Sequence, residues 1–207
     1  DQQEISNVVW AFAKLAVRNP RLLASISTSS VPHKNFNAQG LSNLAWSCAA
    51  ILFRNEPLLQ VIAEQALLRL ETFNEQNLAN SAWAFAKLQM YDVPLISAIS
   101  AAALSKMSEF FPQALANMAW SMANFMVKDM QMLRAISCKS IDIMSQFNQQ
   151  NMSNMLWAVA TLAYFDDPLL DAIAATAVDK IAQFPVQELV NSSWAVARLN
   201  YTHRPFQ

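Results

Sequence analysis

Glycine is almost missing from this chain: Gly40 is the single one in 207 residues. A phosphate-cradling Gly-rich loop is therefore excluded, and the turns are expected to be made by Asn, Asp and Pro. Histidine is nearly as scarce. His33 and His203 both sit in Pro-containing stretches, and neither belongs to a metal-ligand spacing. Cys48 and Cys138 occupy unrelated positions, so they make neither a disulfide framework nor a zinc site, and a reducing compartment suits them. Charge is also thin. Fourteen Lys and Arg face 15 acids for a net charge of -1, which excludes a global basic field for gathering nucleic acid. The distribution is uneven: residues 1–55 carry five cations against two acids, and 142–207 carry three against six. The longest apolar stretch, around Met155 to Phe165, is broken by Thr161 and falls far short of the roughly 20 residues that span a membrane. No targeting segment is visible. The chain opens inside a repeat without an initiator Met, as a processed protein or an excised window would.

What the chain has in quantity is repetition. Trp10, Trp46, Trp83, Trp120, Trp157 and Trp194 are spaced 36, 37, 37, 37 and 37 residues apart. Three positions before each lies Asn7, Asn43, Asn80, Asn117, Asn154 or Asn191. Seven before lies Gln3, Gln39, Gln76, Gln113, Gln150 or Gln187. Ten before the last five lies Phe36, Phe73, Phe110, Phe147 or Phe184, and an alanine follows each Trp by three. A fixed period of this size marks a stacked-repeat architecture. The expected fold is all-α: an α-solenoid of about five and a half 37-residue helix hairpins, about 11 helices in all. It reads as one helical-repeat domain over 1–207, with repeats at 1–36, 37–73, 74–110, 111–147 and 148–184 and a half repeat at 185–207.

The unit around Trp83 shows why each repeat should be a helix pair. Asn74 is a good N-cap, and in the next copy Pro112 falls at the first helical position, where a missing N–H is harmless. Ala, Leu, Met and Lys then run on without Gly or Pro. This is helix A. A short loop follows, with Asn55, Asp92, Asp129 or Asp166 in it, and Pro57, Pro94 and Pro168 open the second helix, B. Along B the stripe Ile62, Ala66, Leu70, Phe73 recurs as Ile99, Ala103, Met107, Phe110 and as Ile173, Ala177, Ile181, Phe184. The first B segment, Ser27 to Lys34, is poor in helix formers and should be short or broken at Pro32. Neither end looks like a polar cap, so further repeats or a partner are expected there.

With Trp at zero on a helical wheel, Gln, Asn and the residue four after Trp fall at about 20°, 60° and 40°. They form one narrow polar stripe opposite the apolar side. A residue identical in every unit cannot tell one ligand subunit from the next. Gln, Asn and Trp therefore read as repeat framework: Asn and Gln as buried or half-buried ladders to neighbouring backbone, Trp as a core wedge between units. A direct role against a repetitive polymer is the alternative. The position four after Trp is different. It reads Lys14, Ala50, Lys87, Asn124, Thr161 and Arg198, varied and mostly polar, so Lys14, Lys87, Asn124, Thr161 and Arg198 are candidate contacts to RNA or a partner. A solvated surface under no constraint explains the same variation. Asp166 and Asp167 begin a B helix, where their charge complements the dipole. Nothing assembles a catalytic group, a metal site or a cofactor site, and the chain is expected not to be an enzyme.

The phrase from Gln76 to Leu88, Gln-x-Leu-Ala-Asn-x-x-Trp-Ala-x-Ala-x-Leu with small departures between copies, resembles the octotricopeptide repeats and the helical repeats of FAST-kinase–RAP-type organellar proteins. The likeness covers six helix-A copies, from Ile5–Leu15 to Leu189–Leu199, at a period of 37 rather than the family's nominal 38. It implies a module binding single-stranded RNA in a mitochondrion or chloroplast, for transcript stability, processing, translation or ribosome assembly. The RNA partner could be a free strand or a ribonucleoprotein; the alternative is a protein–protein scaffold subunit of a large organellar complex with no direct RNA contact. RNA binding would put Lys14, Lys87 and Arg198 on one concave surface and make affinity fall steeply with salt. A scaffold would expose an apolar patch away from the two ends.

Overall fold

The computed structural model describes residues 2–17, 19, 21, 25 and 36–201. The expected break at Pro32, the rest of the segment Ser27 to Lys34, His33 and His203 lie outside the described residues. Among those described, there are ten α-helices and no strand: α1 Gln2–Lys14, α2 Ala38–Ala50, α3 Glu56–Leu67, α4 Glu75–Lys87, α5 Val93–Ser105, α6 Pro112–Asn124, α7 Met130–Asp142, α8 Gln149–Thr161, α9 Asp167–Lys180 and α10 Val186–Leu199. The fold class is all-α, with the sequential helix packing of an α-solenoid. Contacts gather the chain into two compact units, Asp1–Lys106 and Met107–Gln207.

Local chemistry starts and stops each helix as the repeat dictates. Asn37, Asn74 and Asn148 cap α2, α4 and α8, each accepting a first-turn backbone N–H at 2.8 Å. The B helices use Asn55, Asp92, Asp129 and Asp166 in the same way, with Pro57, Pro94 and Pro168 in the first turn. The A helices end differently from expectation. Six residues after each Trp, the backbone turns left-handed at Ala16, Leu52, Gln89, Met126, Ala163 and Asn200, with φ between 47° and 55°. At Leu52, for example, its N–H bonds Ala49 and the next N–H, of Phe53, bonds Cys48. That is a Schellman closure, which usually takes glycine. Only one of the six turns uses Asn, and none uses glycine.

Helix B is also shorter than its stripe. It ends at Leu67, Ser105, Asp142 or Lys180 and passes into one turn of 3-10 helix, after which the repeat phenylalanine sits in extended backbone. Phe36, Phe73, Phe110 and Phe147 are the largest fully buried side chains at these junctions. They wedge helix pairs together, the place the sequence reading gives to Trp. The tryptophan rings are half-buried at 46, 83, 120 and 157 and exposed at 10 and 194.

Within each unit the A helices approach one another more closely than the B helices do. Small buried residues permit this: Ser42, Ala45, Ala49, Ala82 and Ala86 in the first unit, Ala119, Ala123, Ser153 and Ala160 in the second. Buried Leu41, Leu78, Leu115 and Met152, five before Trp, fill the side facing helix B. Close packing of one row and looser packing of the other leaves the A row on the inner side of each unit.

Candidate nucleic-acid interface

The polar stripe of helix A stays outside the core. Gln39, Gln76, Gln113, Gln150 and Gln187 are exposed, and Asn43, Asn80, Asn117, Asn154 and Asn191 are half-buried. Buried amide ladders do not form. Among the described residues, the side-chain amides of Asn43, Asn80, Asn117 and Asn154 make no hydrogen bond, whereas Gln187 donates to Asn191 at 3.1 Å. The buried amide that does link repeats is Asn77, whose Nδ2 donates to Ser42 Oγ at 3.0 Å. Only its place in the capping box, three residues after Asn74, could have signalled this.

Beside the amides stand the indoles. In the first unit Trp46 and Trp83 stack with ring centroids 6.4 Å apart and 27° between planes. In the second, Trp120 and Trp157 lie 6.1 Å apart at 31°. Lys14 Nζ lies 5.4 Å from the Trp10 ring and 5.1 Å from the Trp46 ring, bridging successive helices by cation–π contact. Each unit thus carries a row of part-exposed rings flanked by amides. In the first unit a polar cleft of about 710 Å³ opens between the N-terminal halves of α2 and α4, lined by Gln39, Asn43, Arg69, Gln76 and Asn80 among others and by none of the indoles.

The five variable positions divide. Lys14 and Lys87 are exposed, and Lys87 makes no ion pair or hydrogen bond among the described residues. Arg198 lies over Trp194 at 5.2 Å and donates from Nε to Ala160 O at 3.0 Å, so it also closes the C-terminus of α8. Asn124 donates back to the Trp120 carbonyl at 2.8 Å. Thr161 Oγ1 is buried without a partner. Lys14 and Lys87 occupy the same helix-A register in the first unit, and Asn124, Thr161 and Arg198 occupy it in the second.

Nothing in the described residues gathers three or more His, Cys, Asp or Glu side chains into a metal-binding group, and no helix is long and apolar enough to cross a membrane. Cys48 is fully buried, and burial pushes its thiol up to about 12. Cys138 is exposed. Asp166 is an N-cap whose second oxygen accepts from Ser137 at 2.7 Å and from Tyr164 at 2.9 Å. Burial and this carboxylate push the Tyr164 phenol up to about 12.

In each unit the loops between helices A and B expose apolar side chains. Leu52 and Met126, at the left-handed positions, are 58% and 68% exposed, and Tyr91 and Phe165 are exposed in the corresponding loops of the next repeats.

The family model described as RNA-editing substrate-binding complex 6 protein matches residues 1–205. The chain belongs to that family. The RNA-editing substrate-binding complex 6 family is thus the helical family in question, and not the octotricopeptide or FAST-kinase families specifically. No individual curated protein matches the chain.

Proposed function

We propose that this chain is a non-enzymatic helical-repeat module that binds single-stranded RNA along the inner face of its A helices, within an RNA-editing substrate-binding assembly. One observation carries the reading. Gln and Asn recur beside each Trp, and in the four central copies, from Gln39 and Asn43 to Gln150 and Asn154, their side-chain amides make no hydrogen bond among the described residues. A ligand that itself repeats would explain such a face. Part-exposed indoles offer sequence-tolerant stacking, worth about 1–3 kcal/mol per base. Unengaged amides suit base edges or phosphates. The family's name supplies the RNA-editing context, and a mitochondrial setting, not a chloroplast one, accords with it.

Few cations line the face, so stacking carries most of the affinity and the salt response is shallow and not steep. Each phosphate contact to a single strand contributes a slope of about -0.7 in log K against log salt. Titrating labelled single-stranded RNA at several salt concentrations tests the proposal. Lys14→Ala with Lys87→Ala should flatten the slope by about 1.4, and Trp46→Ala with Trp83→Ala should weaken binding at every salt. Failure to bind RNA at low salt would hand the function to protein scaffolding, which the exposed Leu52, Tyr91, Met126 and Phe165 favour.

A further inference from the structure

We infer that the inner face reads runs of one base, with adenine the base it prefers; this rests on the RNA-binding reading above. The starting point is the sameness of the amides. Asn43 and Asn80 in the first unit, and Asn117 and Asn154 in the second, stand three residues before a part-exposed Trp on the same helix face. Three residues are about 4.5 Å along the axis, one turn. A base laid on the exposed part of the indole therefore points an edge at the amide one turn away. Every repeat presents the same pair, so every repeat asks the same question of its nucleotide. A mixed sequence satisfies it at some steps, and a uniform tract can satisfy it at all of them.

The ring geometry fixes where the base goes. A base sandwiched between two indoles needs roughly 6.8 Å, twice the stacking rise of about 3.4 Å. The centroids are 6.4 Å apart in Trp46–Trp83 and 6.1 Å in Trp120–Trp157, with rings already tilted by 27° and 31°. Intercalation is disfavoured. Bases lie on the solvent side of the row, where the Asn amides and the exposed Gln76 and Gln113 are within the same stripe.

Adenine follows from the chemistry of a carboxamide. Its donor and acceptor stand side by side, and so do the exocyclic amine and N7 of adenine. On that same edge guanine offers two acceptors, cytosine a donor and uracil an acceptor. On the Watson–Crick edge every base sets a donor beside an acceptor, so the amide discriminates at the N7 edge, where adenine alone pairs the two. None of the four asparagine amides has to break an internal bond to make this contact.

The test compares binding of oligo(A), oligo(U), oligo(C) and an adenine-free mixed RNA of equal length at one salt concentration, using the whole chain. Oligo(A) is expected to bind at least about tenfold tighter than the mixed strand. Replacing Asn43, Asn80, Asn117 and Asn154 together by Ala should weaken both strands but oligo(A) by more, closing the gap between them to within about twofold. Asn→Asp at the same four positions keeps the shape and acceptor but removes the donor, and should abolish the preference if the Ala variant fails to fold. Equal affinity for all four strands overturns the inference and leaves RNA binding standing, as does a preference for adenine that survives both variants. No binding of any strand sinks both.

Discussion

Lys106 donates from Nζ to the carbonyl oxygen of Phe73 at 2.6 Å, and 74 residues later Lys180 does the same to Phe147 at 2.7 Å. Each lysine also reaches a second carbonyl, of Glu71 or Ser145, at 3.1 Å. The ammonium groups close the carbonyls that the extended phenylalanine linkers leave without a helical partner. Charged donors of this kind contribute about 1.5–3 kcal/mol when buried and less when solvent reaches them. Lys106→Met should therefore lower stability by about 1 kcal/mol, as should Lys180→Met, both measured by urea unfolding with unchanged m-values. Neutral effects in both would mean that water replaces the lysines at no cost.

The left-handed turns predict the opposite sign. Leu52 and Met126 hold φ at 54° and 55°, a conformation that costs a side-chain-bearing residue about 1–2 kcal/mol. Glycine removes that strain and gives part of the gain back in chain entropy. Leu52→Gly and Met126→Gly should each stabilise by about 0.5–1 kcal/mol, read as a raised Tm in calorimetry. Both side chains are largely exposed, so little burial is lost. A fall in Tm would show that they are packed in the free protein.

Phenylalanine and tryptophan should separate cleanly. Phe73 is fully buried, and its replacement by Ala should cost about 3–5 kcal/mol through lost transfer energy and a cavity. Trp83→Ala, at a half-buried ring, should cost less than half of that in thermal or urea melts while impairing RNA binding. Equal destabilisation would return Trp to the wedge role.

Alkaline pH should act through Cys48. The folded thiol is raised from its ordinary value near 9 to about 12, because burial disfavours the thiolate. The unfolded thiol ionises first, so the folded state loses stability as pH rises through 9 toward 12, by about 1.4 kcal/mol per pH unit. Below pH 9 the group contributes no pH dependence. Cys48→Ala should reduce that alkaline slope, and a thiol reagent at neutral pH should label the exposed Cys138 and spare Cys48.

Much of this was legible in the one-dimensional pattern. Period, helix pairing, the cap at Asn74 and the proline starts at Pro57 and Pro94 all depend on chemistry within a few residues, and the sequence states it directly. The candidate stripe was legible as a direction on a wheel. Its environment was not. Asn80 and Trp83 could equally have faced a neighbouring helix or solvent, because a wheel orders residues around an axis without saying where the neighbours stand.

By itself, then, the sequence determined the helices, their order and the recurrent alanine of helix A, Ala49, Ala86 and Ala123 among its copies, since propensity, capping and periodicity act locally. Tertiary structure alone decided that phenylalanine and not tryptophan wedges the repeats, that Leu52 and Met126 turn left-handed, and that Lys106 and Arg198 close carbonyls 33 and 38 residues away. The physical reason is separation: burial, strain and long-range hydrogen bonds arise only when helices distant in the chain are brought into contact.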